Sequence, residues 1–470
     1  MNDGLGLILA AAGRAHAEVD VGQAPPGRLS ILQHLTKGDI LAGDPASPIA
    51  GCAGGDVHSP SVATKVTHRR IVITGAGLVC PLGQSSWQVF RTLLDGGAIV
   101  DRAARLDAHI DPVALVRALG CVSIAQHSMT DPAVVLAEHA AREAMFEAGA
   151  ESHELAAVVA TSKGAVTALT AALAAQSDLR ARCRMLGGIR PMLPPDAHLA
   201  AALGPHHYLD HHLRVRLGLR AERHIVAACA SSLTAVHHAR QQLLRDDGRP
   251  DRMIVITAEA ALLPAFVSSY RRLGVLAPLT AEGYRALPLA TDRCGFVLSE
   301  VGAAVLLERR AAVEPGDIEL VDSTVAAEPH HMIRAPGRMV SLEHVANRLI
   351  GRRTIDVLHP HATGTIENDA AELAAYARVM EDRRGQGTSD VYAVKGALGH
   401  GLGAAGLVSL IVACRCAKAN RRPPMPWLLH PMQSALPLCS KARDLATTTT
   451  HAVFAAGFAG HIAGTVITKH

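Results

Sequence analysis

From about residue 68 to the end of the chain, short β-branched runs alternate with segments of helical period, and this alternation limits the possible folds more than any other feature. The runs "AAVVAT" (156–161), "HIVAACA" (224–230), "RMIVITAEA" (252–260), "GAAVLLER" (302–309), "TIDVLHPH" (354–361) and "HAVFAAGFAG" (451–460) read as strands. Segments such as "PAVVLAEHAAREAMFEAGA" and "ENDAAELAAYARVMEDRR" carry the helical period. Strands alternating with helices predict an α/β fold with largely parallel sheets covered on their faces. With hydrophobic residues at 49% but aromatics at only 3%, the core must be built from Ala, Val, Leu and Ile, and the 41 glycines allow close backbone contacts.

Residues 1–66 do not follow the alternation. "QAPPGR" and "GDPASPIAGCAGGD" break any regular element, so a poorly ordered N-terminal extension is expected there. Its start, "LGLILAAAGRAHA", ends like a signal-peptidase site, but Asp3 stands where a basic residue is required, which argues against a signal peptide. No later stretch reaches the ~18 uninterrupted apolar residues of a membrane span. The 46 Lys+Arg and 42 Asp+Glu are balanced and scattered, so nothing favours a nucleic-acid surface. Nine cysteines, odd in number and without a CxxC pair, point to a reducing, cytoplasmic setting.

"TGAGLV" after the first β-branched run invites a dinucleotide reading, but Cys80 occupies the last glycine position of that fingerprint, and a tight turn at the strand exit is expected instead. "PHHYLDHHLR" offers His207 and His211 at i,i+4 spacing without an HExxH motif or a third ligand, so no metal is expected.

Cys229 stands out by position. In "IVAACASSLTAVHHARQQLL" an apolar run gives way to helical spacing at this residue, which sets the thiol at a strand-to-helix turn. There the positive end of the helix dipole and unpaired backbone N–H groups favour the thiolate and can hold an oxyanion. The bland alternative is a small buried cysteine packing like alanine. Two further segments, "HPHATGTIENDAAE" (359–372) and "VYAVKGALGHGLGAAGLVSL" (391–410), each place a histidine near glycines after a strand.

Taken in order, "ACASSLTAV", "HATGTIENDAAE", "KGALGHGLGAAG" and "GFAGH" resemble the motif set of the β-ketoacyl synthase family. The likeness covers about residues 68–470 and includes "TDRCGFVLSEVGAAVLLE" as a mid-chain segment. It implies a thiolase-like α/β fold of two similar halves in a layered αβαβα arrangement, 67–315 carrying the nucleophile and 316–470 the histidines. It further implies Cys229 as the acyl acceptor, His361 and His400 as the catalytic pair, and Lys395 and Glu372 as their supports. Thr363 and Thr365 fall where the family's phosphopantetheine channel runs, and Phe458 falls at its gating phenylalanine. The implied reaction is decarboxylative Claisen condensation of a Cys-bound acyl group with malonyl-acyl carrier protein, in fatty acid or polyketide synthesis. The implied partners are that carrier protein and a second chain, in a homodimer or heterodimer, with no cofactor beyond the carrier's 4′-phosphopantetheine. Arg271 and Arg272 are candidate docking residues for the acidic carrier. A partner subunit without catalysis and a thiolase-like enzyme acting on coenzyme A esters are the competing classes. Departures from the family pattern are Cys294, Glu328, Ile333, Ala459 and Ile462.

Overall fold

The computed structural model describes residues 69–101, 112–126, 130–175, 197–245, 250–280, 283–328, 337–351, 353–381 and 389–470. All belong to one compact unit, Val66–His470. The expected N-terminal extension, residues 1–66, and Ile333 lie outside the described residues.

Ten strands make one sheet: β1 (Arg70–Val79), β2 (Ala156–Ala160), β3 (Ala221–Ile225), β4 (Arg252–Glu259), β5 (Val301–Arg310), β6 (Ile318–Ala327), β7 (Val357–His359), β8 (Asp390–Val391), β9 (Thr450–Ala456) and β10 (His461–Lys469). The spatial order of the first five is β1-β5-β4-β2-β3, and that of the last five is β6-β10-β9-β7-β8. Numbered within its half, each set has the same order. Directions also match: the first two pairings of each half are antiparallel and the last two parallel. The chain is therefore an internal duplication in topology. The halves meet where Val72 of β1 lies opposite Glu319 of β6. A largely parallel sheet was expected; the sheet is mixed, with two antiparallel pairings in each half, and β9 and β10 are joined by residues 457–460 alone, too few for a crossover, so they pair antiparallel.

Helices that dress this sheet include α1 (Ser86–Leu94), α2 (Pro132–Ala148), α3 (Ser231–Leu243), α4 (Val340–Ile350), α5 (Ile366–Glu381) and α6 (Ala405–Ala419). Helix α3 touches β2 and β4 of the first half and β6 and β10 of the second, and α6 touches β1, β5, β9 and β10. These two helices form the middle layer. On the outside α2 covers β1, β4 and β5, while α4 packs on β6, β10 and α5, which completes the αβαβα sandwich. Period-2 alternation sorts the side chains accordingly. Met253 and Val255 of β4 join the core around the middle layer, whereas Ile254 and Ile256 join the core under α2. The helical stretch Leu402–Ala419 is apolar enough to cross a membrane by length and composition, but 89% of it is buried inside the protein, as befits a core helix.

The small residues have a clear structural use. Asp131 caps α2 by accepting from the Ala133 N–H, Pro132 starts it, and Gly149 ends it in the left-handed region (φ 57°). Its inner face is Ala133, Ala137, Ala140, Ala141 and Ala144. This face presses on β1 so closely that a Cβ on Gly75 or Gly77 would lie 2.0 Å from the carbonyl oxygen of Ala144 or Ala140. The expected turn at "TGAGLV" is thus corrected: the glycines lie within β1, at and beyond a bulge between Ile73 and Gly75, and serve helix contact. Gly75→Ala and Gly77→Ala are each expected to lower stability by about 1–3 kcal/mol or more, as overpacking against rigid backbone does. Gly337→Ala, where an added Cβ meets nothing within 4 Å, should leave the urea midpoint within error.

Candidate functional site

The site assembles at the strand ends where the two halves face one another. Strand β3 stops at Ile225, short of the run read from the sequence, and Cys229 lies two residues before α3, ahead of its N-cap Ala230, with Ala228 in the left-handed region (φ 47°). The Ser231 hydroxyl braces this turn, donating to the Ala228 carbonyl at 2.7 Å and accepting from the Ala227 N–H at 2.8 Å. His361 follows β7 and is succeeded by Ala362 at φ 36°; His400 precedes α6 and is followed two residues later by Leu402 at φ 44°. The His400 N–H donates to the Val297 carbonyl at 2.6 Å.

These three turns bring the Cys229 Sγ and ring nitrogens of His361 and His400 within 4.8 Å of one another, all buried. The imidazoles cross edge to face with centroids 5.5 Å apart, and Phe296 packs on His400 at 4.8 Å. The Nδ1 atoms of both rings are buried and lack hydrogen-bond partners in the protein. Burial, reinforced by the Lys395 ammonium, drives both histidines well below their ordinary range, so both rings are neutral and each carries one N–H to donate. Such a thiol-imidazole set also offers donors suited to a soft divalent ion.

Lys395 and Glu372 support this set through the backbone. The Lys395 ammonium donates to the His361 carbonyl, and the Glu372 carboxylate accepts from the N–H groups of His361 at 2.5 Å and Ala362 at 2.7 Å. Burial holds Lys395 down at about 8, against the pull of Glu372, and pushes Glu372 upward. Asp369, not singled out in the sequence, accepts from the N–H groups of Gly364 and Leu289. Its place three residues before Glu372 in "NDAAE" sets both carboxyls on one face of α5, a signal the motif contained.

One expectation is corrected. The helix terminus was expected to favour the Cys229 thiolate, yet burial pushes this thiol up to about 12, with Lys395 pulling it down and the buried carboxyl of Glu259 pushing it up. A helix terminus offers at most ~2 kcal/mol, or ~1.5 pH units, in partly buried geometry. Desolvation outweighs it, and the resting group is a neutral thiol.

A cavity of about 650 Å³ opens onto Cys229 and His361, with Thr363, Thr365 and Phe458 on its wall together with Cys294. The Thr363 and Thr365 hydroxyls lie 3.0 Å apart. Ala459, in the loop after Phe458, takes φ 60°. The loop at Phe458 is stapled by the Glu328 N–H, which donates to the Gly460 carbonyl at 2.7 Å, while the Glu328 carboxylate accepts from the Ser341 N–H at 2.6 Å. His207 turns toward Asp210, 3.7 Å away, and His211 stacks edge to face on His212.

Comparison with known proteins matches residues 68–312 to the β-ketoacyl synthase N-terminal domain and residues 310–427 to the β-ketoacyl synthase C-terminal domain. Similar curated proteins include the mitochondrial 3-oxoacyl-[acyl-carrier-protein] synthase of Arabidopsis thaliana, 26% identical over 73% of this chain and 81% of that one. Nodulation protein E of Rhizobium leguminosarum bv. trifolii is 28% identical over 76% and 88%. The tetracenomycin polyketide synthase ketoacyl synthase alpha subunit of Streptomyces glaucescens is 27% identical over 75% and 86%. Among solved structures, a type II polyketide ketosynthase in complex with its acyl-carrier protein superposes with TM-score 0.69 at 19% identity, covering 86% of this chain and 99% of that one. The module 6 ketosynthase of the bacillaene synthase from Bacillus subtilis 168 gives 0.64 at 19%, covering 85% and 72%.

The protonation state is directly testable. A thiol titrating near 12 is neutral throughout the physiological range, so its alkylation rate by iodoacetamide should climb about tenfold per pH unit from pH 7 to 10. A plateau below pH 9, read by peptide mass spectrometry at Cys229, would contradict the dominance of burial.

Proposed function

Because the chain belongs to the β-ketoacyl synthase family, we propose that Cys229 stores the acyl group of a decarboxylative Claisen condensation in which His361 and His400 stabilise the malonyl enolate. The protein is a condensing enzyme of fatty acid or polyketide synthesis. The observation that carries the residue roles is the convergence of one thiol from the first half and two neutral imidazoles from the second within 4.8 Å.

Each group has a defined task. The Cys229 sulfur attacks the carbonyl of a carrier-bound acyl thioester, and its proton leaves with the departing carrier thiol. Malonyl thioester then loses carbon dioxide, and the electron pair of the broken bond forms an enolate whose oxygen accepts hydrogen bonds from the two imidazoles. These donors act mainly in the transition state, where the negative charge develops. The enolate carbon attacks the Cys229-bound carbonyl, the carbon–sulfur bond breaks, and the departing Cys229 thiolate takes up one proton from solvent to restore the resting thiol. Lys395 and Glu372 position the His361 turn.

The substrate arrives on an acyl carrier protein whose phosphopantetheine arm passes Thr363 and Thr365, with Phe458 at the gate. A relative of the same fold is a ketosynthase held with its acyl-carrier protein, which supports such a partner. Arg271 and Arg272 end the helix Pro264–Arg272 in exposed positions, and Arg272 lies on the cavity wall. We place the acidic carrier there. Strand β3 is an end strand of the sheet with one pairing partner, and a second copy is proposed to add at this edge, giving a homodimer. The seven described cysteines form no disulfide among the described residues, which supports a cytoplasmic setting. The partner-subunit reading is disfavoured because Cys229 and both histidines stand together.

Loss of function should divide by role. Cys229→Gln abolishes condensation and leaves malonyl decarboxylation measurable, since both imidazole donors persist. His361→Ala or His400→Ala lowers decarboxylation roughly a hundredfold or more while acylation of Cys229 suffers less. Labelled carbon dioxide release beside intact-protein mass spectrometry reads both, and equal loss of both activities in every variant would refute the division. At the docking surface, Arg271→Glu with Arg272→Glu should raise the KM for the carrier and flatten its salt dependence; an unchanged KM removes these residues from the interface.

A further inference from the structure

Away from the Cys229 site, two more histidines approach each other with unsatisfied nitrogens. The helix Ala197–Leu217 kinks at Gly204 (φ 70°, ψ 171°), and Pro205 opens its second segment, which places His206 in a first turn and Asp210 one turn later. The Pro205 carbonyl accepts from the Ala165 N–H at 2.9 Å, fixing this turn to the loop after β2. His224 sits on β3, paired with Val159 of β2. Both histidines are thus anchored to one rigid strand pair, and their rings lie edge to face with centroids 5.0 Å apart.

The hydrogen bonds define which nitrogens are open. His224 Nδ1 lies 3.0 and 3.2 Å from the two Asp210 carboxylate oxygens. With a carboxylate there, Nδ1 carries the proton and Nε2 carries the lone pair. That Nε2 is buried and has no hydrogen-bond partner, on a side chain only 10% exposed. His206 Nδ1 is likewise buried without a partner. Two buried ring nitrogens without partners, on imidazoles 5.0 Å apart, and one carboxylate that orients a ring from behind are the parts of a carboxylate–histidine metal site.

We propose that His206 and His224 bind a divalent transition-metal ion of the zinc class, with Asp210 orienting His224 and water filling the other positions. Imidazole nitrogens suit zinc, copper and nickel rather than magnesium or calcium. The Asp210 charge favours a cation there, and the nearby Lys163 ammonium opposes it. The site is separate from Cys229 and requires neither the condensing reaction nor a carrier.

The test uses the full chain without a histidine tag, in a Cys229→Ala background that also carries His361→Ala, because the catalytic thiol and its two histidines would themselves take zinc. Equilibrium dialysis against zinc chloride is followed by elemental analysis, with cobalt substitution and visible spectroscopy reporting imidazole ligation. This double variant is expected to hold a zinc ion that is lost on His206→Ala or His224→Ala and retained on His207→Ala. Asp210→Asn should weaken binding 10- to 100-fold. Circular dichroism checks each fold, and His224→Gln replaces His224→Ala if the smaller side chain unfolds the edge. Absence of zinc in the double variant, or zinc retained after both His206 and His224 are replaced, overturns the proposal.

Discussion

The buried carboxylate of Glu372 is the interaction on which the site depends. One of its oxygens takes the His361 N–H and the Tyr376 hydroxyl at 2.8 Å, and the other takes the Ala362 N–H and the Asn368 side-chain amide at 3.2 Å. The opposite side of the same peptide turn is held by the Lys395 ammonium on the His361 carbonyl. Burying both charges is unfavourable unless each is fully hydrogen-bonded, and removing either partner leaves the other stranded in a dry interior. This arrangement forces Ala362 into φ 36° and thereby aims the His361 ring at Cys229. The acid and the base act on the backbone, and the backbone aims the imidazole.

Strain is concentrated around the same cavity. Among the described residues, six other than glycine have positive φ, and four of them are Ala228, Ala362, Leu402 and Ala459. They lie next to, or within two residues of, Cys229, His361, His400 and Phe458 in turn. Such conformations persist only where the surroundings over-determine them. Here the surroundings are two half-sheets clamped on a middle layer in which α6 is buried along nearly its whole length. Low aromatic content and many small residues make that clamp possible, because alanine faces and glycine strands let backbones approach to contact.

Much of this was legible in the sequence, for physical reasons that differ by residue. Cys229, His361 and His400 each lie where an apolar run meets glycine or helical spacing, and such junctions mark strand ends. Strand direction was not legible, since burial pattern records the covered faces of a strand and not the sense in which it runs. "TGAG" misled because glycine signals both turns and close helix packing, and only the position of α2 decides between them. The state of the thiol was misjudged because a helix start is visible in sequence while desolvation depends on everything that packs around it. The link from Glu328 to the Phe458 loop runs through a backbone N–H, which any residue except proline supplies, so the sequence carried no sign of it.

The repeated strand order has a consequence for how the chain can be cut. The connection from β5 to β6, residues 311–317, is largely exposed, and a nick there leaves each fragment with a complete five-stranded set and its own covering helices. The thiol would travel with one fragment and both imidazoles with the other. Each piece alone would hold only part of the cluster, and reunion along the Val72–Glu319 seam would bring the thiol and the two imidazoles together again.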